Sequence, residues 1–212
     1  MILYTNPMSR GQIARWMLHE AGAEYEQRLV GYGPEMQGAD YKAVNPMGKV
    51  PAIDDDGRIV TECAAICAYL ADRFPDAGLA PRDDAERADY YRWLFFAAGP
   101  VEQAVTSRSM GWSVDDPQKQ GMLGFGSFDR VMDTLADKLA KDDYVCGGRF
   151  TAADVYLGSH VIWGTEFGTI PGDRPPLTAY AERLKAREAN RAAKAIDDEL
   201  IAKAQAEAPA DA

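Results

Sequence analysis

A chain of 212 residues, 47% of them hydrophobic, can bury a sizeable core as one large domain or two small ones. Its net charge of −10 argues against nucleic acid or anionic membrane as a partner, because both require cationic surfaces. No apolar run approaches the roughly 20 residues that span a bilayer, and Met1-Ile2-Leu3-Tyr4-Thr5-Asn6 reads as a strand, not a secretion signal. Cys63, Cys67 and Cys146 have no metal spacing. Cys63 and Cys67 stack one helical turn apart with side chains pointing alike, so a reduced pair and a cytoplasmic location are expected. An anionic ligand would need local positive charge, which draws attention to Arg10, Arg15 and Lys49.

The first part of the chain alternates period 2 with period 3.6. Ile2 to Thr5 is a short strand, and Asn6-Pro7 turns the chain. Ser9 is placed to cap a helix running through about Ala21, with Ile13, Trp16 and Met17 as its inward stripe and Gly22 as its stop. Glu26 to Val30 is a second strand, followed by a polar, Gly-rich connection from Gly31 to Asn45. Val50 to Ile53 and Arg58 to Val60 flank Asp55-Asp56-Gly57, a strong hairpin signal. A helix from about Glu62 to Arg73 carries Ile66, Tyr69 and Leu70 on one face and ends at Phe74-Pro75.

From Asp83 onward every segment reads as helix. Ala85 to Met110 is long, with Tyr91, Trp93, Leu94, Phe95 and Phe96 along it. About Pro117 to Lys141 is the next, its stripe being Met122, Phe125, Val131, Met132, Leu135 and Leu139. Thr151-Ala152-Ala153-Asp154 has the pattern of a reciprocal N-terminal cap, with the threonine hydroxyl accepting from the Asp154 N–H and the carboxylate reaching back to the Thr151 N–H. Phe150 and Val155 stand where a hydrophobic staple belongs, and a buried helix then runs to about Trp163. Leu177 to Arg187 is a further amphipathic helix, and the Ala/Lys/Glu-rich tail after Asn190 is expected to fray. The expected organisation is an α/β domain at 1–78, a linker at 79–84 and an all-helical domain at 85–212.

Two features carry chemistry. Pro51 removes a backbone donor and holds Val50 extended, so Val50 is presented as a strand edge able to exchange main-chain hydrogen bonds with an extended peptide. Glu62 stands where a helix begins, so a small peptide could place its ammonium on that carboxylate and its carboxylate on free helix N–H groups. The plain alternatives are that Ser9 is only an N-cap and Glu62 only an acidic first-turn residue. His19 and His160 lack partner spacing and read as ordinary helix residues. No phosphate loop, nucleophile elbow or paired metal ligands occur.

Asn45-Pro46-Met47-Gly48-Lys49-Val50-Pro51, then Glu62-Cys63-Ala64-Ala65-Ile66, together with strand–turn–Ser9–helix and the Thr151/Asp154 box, resemble the cytosolic glutathione transferases in order and spacing. The resemblance spans essentially the whole chain. It implies a thioredoxin-like N-terminal domain followed by an all-helical C-terminal domain, glutathione as co-substrate and no metal. It implies a cis Val50-Pro51 bond, and Glu62 with the Cys63 N–H on the γ-glutamyl end of glutathione. Lys49 would either reach the glycyl carboxylate or be solvated. Cys63 departs from the serine usual there, which would weaken that contact; at a helix N-terminus it could also react with oxidised glutathione.

Ser9 corresponds to the hydroxyl that serine-type members use to hold the glutathione sulfur as thiolate, with Asn6, Thr5 or Tyr4 as alternates. A free thiol ionises near pH 8.5, and lowering that by about two units takes about 2.7 kcal/mol. The resemblance also implies attack on a small hydrophobic electrophile, in a pocket for which Met8, Met110, Trp112, Trp163 and Phe167 are the candidates, and a homodimer. A glutathione-dependent peroxidase or disulfide reductase, or a non-catalytic protein of this fold, are the other classes compatible with the same motifs.

Overall fold

In the computed structural model, which describes residues 1–207, the alternating segment Ile2–Thr5 forms strand β1 and buries Leu3 and Thr5 on one face. Helix α1 (Gly11–Glu20) follows, burying Ile13, Trp16 and Met17, and stops at Gly22. Strand β2 (Glu26–Leu29) pairs in parallel with β1, Ile2 opposite Glu26. Strand β3 (Ala52–Asp55) lies antiparallel to β1 and to β4 (Arg58–Thr61), giving the order β2-β1-β3-β4. The β3–β4 turn holds Asp56 and Gly57 at φ 53 and 86, the left-handed pair that matches strand twist. Helix α4 (Cys63–Arg73) packs beside α1, with Ile66 and Leu70 buried.

The connection from Gly31 to Asn45 has more structure than its composition signals. It contains two one-turn helices, α2 (Pro34–Gln37) and α3 (Ala39–Lys42). Each contributes one buried side chain, Met36 and Tyr41, which pack with Val30 against Tyr4, Val44 and Val50. The apolar residues of this stretch are irregularly spaced among glycines and polar residues and give no periodicity to read.

Asp55 is also more than a turn residue. Its carboxylate accepts from the Tyr69 hydroxyl (2.6 Å), Arg58 (3.1 Å) and Arg73 (3.1 Å), tying the hairpin to α4. Those donors, Tyr69 first, hold its pKa down to about 2.

The chain divides into two units, Met1–Ala77 with the segment from Arg187 onward, and Gly78–Ala186. The second unit opens with α5 (Asp84–Phe96), capped by Asp83, and runs through a π turn at Ala97–Val101 into α6 (Glu102–Ser109). Pro100 lies inside that turn, where its missing N–H is accommodated by the wider winding.

The single helix expected from Pro117 to Lys141 is two, α7 (Pro117–Met122) and α8 (Phe128–Leu139). Leu123-Gly124-Phe125-Gly126 breaks the run, and the Ser127 hydroxyl starts α8 afresh by accepting from the Arg130 N–H. Val131, Met132, Leu135 and Leu139 are buried as the stripe requires, but Met122 is exposed.

Helix α9 (Ala152–Glu166) is buried nearly all round, with α10 (Pro175–Lys185) against it. At its start Asp154 reaches back to the Thr151 N–H (2.9 Å). Both halves of the expected reciprocal box are present, and the threonine hydroxyl also donates to that carboxylate (3.1 Å). Asp154 also accepts from the Val145 N–H (2.9 Å) and the Tyr180 hydroxyl (2.8 Å), so the box is a hub joining three segments and not only a cap. Among the described residues no helix is long and apolar enough to cross a membrane.

The largest departure from the sequence reading is the tail. It does not fray after Asn190: Glu188–Glu207 forms α11, which packs on α1 and belongs with the first unit. Only its residues 208–212 lie outside the described residues. Few apolar groups anchor it. Ala193 and Asp197 are buried one turn apart, Asp197 pairs with Arg15 (3.0 Å), and Arg187 clamps Glu20 with two bonds (2.6 and 2.7 Å). The expected helical domain at 85–212 is therefore shorter at its end.

Candidate functional site

The turn after β1 is organised by Asn6. Its side chain donates to the Val30 carbonyl (3.0 Å) and accepts from the Met8 N–H (3.0 Å). Gln12 donates to the Pro7 carbonyl (2.6 Å) and the Tyr32 hydroxyl to the Met8 carbonyl (3.0 Å), so residues 6–9 are held from three sides. The Ser9 hydroxyl, half-buried, donates to the Asn6 carbonyl (2.6 Å) and accepts from the Gly11 N–H (2.9 Å). The N-cap of α1 is Arg10, which makes no side-chain capping bond; Ser9 stands one position earlier than an N-cap and meets the Gly11 N–H from there. Asn6 spends its amide on the loop and offers less as a donor than the sequence suggests. Tyr4 packs against Tyr41 and accepts from Arg28, which is the packing role expected of its strand position.

Of the three cations singled out for an anionic ligand, Arg15 is withdrawn. It is buried, bonded to Asp197 and to the Tyr25 hydroxyl. Arg10 and Lys49 are exposed. The Lys49 ammonium has no carboxylate partner among the described residues.

The Asn45–Lys49 loop is pinned from below. The Lys49 carbonyl accepts from Tyr41 and Asn45 (both 2.7 Å), the Gly48 carbonyl from Gln37 (3.0 Å), and Asn45 accepts from the Met47 N–H (3.1 Å). Val50-Pro51 is cis. Val50 precedes the β3–β4 ladder, which starts at Ala52 opposite Thr61, so its main chain stands outside the sheet's pairing.

Glu62 follows β4 directly and is the N-cap of α4 with φ 65 and ψ 121, a conformation that L-residues other than glycine rarely adopt. Its exposed side chain makes no capping bond to its own helix. The carboxylate and the first N–H groups of α4 are therefore left side by side without mutual satisfaction, one an acceptor and the others donors. A ligand carrying an ammonium and a carboxylate on one carbon complements that pair.

Cys63 is buried and its thiol donates to the Arg10 carbonyl (3.6 Å), which connects α4 to the start of α1. Cys67 is fully buried and its pKa is pushed well up by burial; neither cysteine is in a disulfide. The burial of Cys63 is what the unreactive alternative requires.

Met8 is exposed on the first unit, while Met110 and Trp112 end α6 and Trp163 and Phe167 end α9. Within the helical unit Trp112 lines a cavity of about 570 Å³ with Arg108, Leu123, Phe125 and Phe128; Met110, Trp163 and Phe167 do not line it. The Arg108 guanidinium lies 4.3 Å from the Phe128 ring centre. Sequence reasoning misses Phe125 and Phe128 here: Phe125 reads as part of the inward stripe of one continuous helix, and Phe128 is not singled out.

Comparison with known proteins gives a consistent result. Residues 8–73 match the family model for the glutathione S-transferase N-terminal domain, and residues 84–183 that for the C-terminal domain. Glutathione S-transferase GstA of Escherichia coli O157:H7 is 35% identical over 191 residues, 88% of this chain and 94% of that protein. Glutathione S-transferase F13 of Arabidopsis thaliana is 27% identical over 203 residues, 89% and 92% of the two chains. The crystal structure of a glutathione transferase from Methylococcus capsulatus strain Bath matches with a TM-score of 0.77 at 31% identity, covering 93% of this chain and 98% of the other. A sphingomonad glutathione S-transferase complexed with glutathione matches with a TM-score of 0.76 at 29% identity, covering 93% and 99%.

Proposed function

Because the chain belongs to the glutathione S-transferase family and is a glutathione transferase, we propose that it binds glutathione along Val50 and Glu62 and holds its sulfur as thiolate beside Ser9. The observation that carries this is Glu62: an exposed carboxylate at a rarely populated φ, unbonded to its own helix and standing at that helix's N-terminus. The γ-glutamyl end supplies an ammonium for the carboxylate and a carboxylate for the helix terminus. The peptide main chain pairs with Val50, whose carbonyl and N–H lie outside the sheet, and the glycyl carboxylate meets Lys49. The Cys63 N–H contributes to the γ-glutamyl carboxylate, but its thiol is already directed at Arg10.

Ser9 acts by turning its hydroxyl from the Asn6 carbonyl to the sulfur. A hydrogen bond to an anion is about twice as strong as one to a neutral carbonyl, so the exchange favours the thiolate. The proton of the bound thiol leaves to solvent and Ser9 keeps its own. The thiolate then attacks a small hydrophobic electrophile, and the enzyme's further contribution is proximity. The functional form is a cytoplasmic homodimer. Support for the dimer is the apolar face of α5, where Phe95 is 70% exposed and its ring stands 6.5 Å from that of Tyr91.

The test is a calorimetric titration with glutathione, followed by conjugation of 1-chloro-2,4-dinitrobenzene across pH for wild type and Ser9→Ala. The expected result is saturable binding in wild type and a pH–rate profile displaced upward in the variant. An unchanged profile removes Ser9 from the chemistry, and an absence of binding removes the site.

A further inference from the structure

We propose that Thr5 is a positioning residue that loads the Ser9 hydroxyl, an inference that rests on the reading of Ser9 as thiolate donor. Thr5 ends β1 on the same face as Leu3 and is fully buried. Its main chain is used in the ordinary way, the carbonyl accepting from the Val30 N–H (2.8 Å). Its hydroxyl is not: Oγ1 has no hydrogen-bond partner among the described residues. A buried hydroxyl without a partner is disfavoured, and native proteins keep few. Valine has the same shape, a higher strand preference and no polar atom, so packing alone would select it here.

Gly11 shows what the hydroxyl is near. A Cβ built on Gly11 would lie 1.9 Å from Thr5 Oγ1 and 3.0 Å from Ser9 Oγ, so the two oxygens crowd the same bare patch of backbone and are neighbours across it. Only glycine leaves them both room. Ser9 Oγ accepts one bond, from the Gly11 N–H, and a serine oxygen has two lone pairs. Thr5 does not bond the second in the free protein; in the proposed role Thr5 donates to it once ligand is bound. When the Ser9 proton turns from the Asn6 carbonyl to a bound sulfur, a bond donated by Thr5 to Ser9 Oγ polarises the serine hydroxyl and strengthens its own donation, as chained hydrogen bonds do. Thr5 gains in that state the partner it lacks in the free protein. It never touches the sulfur, being shielded from it by burial, and acts through Ser9.

The experiment compares wild type, Thr5→Val, Thr5→Ser and Ser9→Ala. Three readouts are taken: melting temperature without ligand, the rise in melting temperature with saturating glutathione, and the ultraviolet thiolate absorbance of bound glutathione across pH. Thr5→Val is expected to melt no lower than wild type when ligand-free, to gain less from glutathione, and to shift the thiolate titration upward in the direction of Ser9→Ala. Thr5→Ser is expected to restore the wild-type titration. If Ser9→Ala moves the titration and Thr5→Val does not, the role of Thr5 is overturned while that of Ser9 stands. If neither moves it, both fall. A ligand-free Thr5→Val that unfolds or melts lower overturns the proposal too, because the hydroxyl then has a structural partner.

Discussion

Glu62→Gly separates the binding role of Glu62 from its backbone. At φ 65 and ψ 121 a residue with a Cβ is strained by on the order of 1–3 kcal/mol, and glycine relieves that. Glycine's extra unfolded-state entropy takes back about 0.5–1 kcal/mol. The net expectation is a gain of about 1 kcal/mol, or a melting temperature about 2–4 °C higher for a protein of this size. The side chain makes no bond to its helix, so no cap is lost with it. Glutathione binding moves the other way. Removing a charged partner of the ligand's ammonium costs about 1.5–3 kcal/mol, which weakens affinity roughly ten- to hundred-fold. Glu62→Gln is the control, retaining the strain and losing the charge, with an unchanged melting temperature and weakened binding. Differential scanning fluorimetry and calorimetric titration read both quantities. A Glu62→Gly protein that melts lower, or that binds glutathione as tightly as wild type, would refute the reasoning.

Other consequences follow from the buried ions and thiols. Arg15→Met alone should cost about 3–5 kcal/mol, because it leaves Asp197 buried without its partner, whereas Arg15→Met with Asp197→Leu should lie near wild type. Denaturant titrations of the two single variants and the pair decide this, and an additive pair would refute it. Burial, outweighing the pull of Arg15, raises the Asp197 carboxyl to about 6, so folding takes up a proton there. That contribution rises as pH falls from about 6 towards the unfolded value near 4, and Asp197→Leu should abolish it in a stability–pH series.

Asp55 has the opposite sign. With its pKa held near 2, its contribution is complete above about pH 4 and is lost as pH falls through 2. After solvent screening of the half-exposed Arg58 and Arg73 it amounts to about 1–2 kcal/mol, to be read as a reduced acid dependence in Asp55→Asn. Mass spectrometry of wild type after exposure to oxidised glutathione should find Cys63 unmodified, in keeping with its burial.

The sequence by itself determined the features that depend on a few adjacent residues. The β1 alternation, the Ile13/Trp16/Met17 stripe, the Asp56-Gly57 turn, the start of α4 after Glu62 and the Thr151/Asp154 box all appear where their local patterns place them. Periodicity, turn conformation and capping are short-range physics, and the order of these pieces already implied the family.

Tertiary structure decided whatever depended on which surface a segment met. The Ala/Lys/Glu-rich tail has too few apolar groups to declare a face. It docks because Asp197 and Arg187 find Arg15 and Glu20, residues more than 160 positions earlier. The same contact withdrew Arg15 from the ligand site, which no reading of α1 alone could show. The break between α7 and α8 was hidden because its apolar spacing continues across two glycines, and only packing shows Met122 outside and Val131 inside. The φ of Glu62 and the crowding of Thr5 and Ser9 over Gly11 are likewise set by neighbouring elements: a single residue type does not fix its own backbone angle or the partner its hydroxyl will lack.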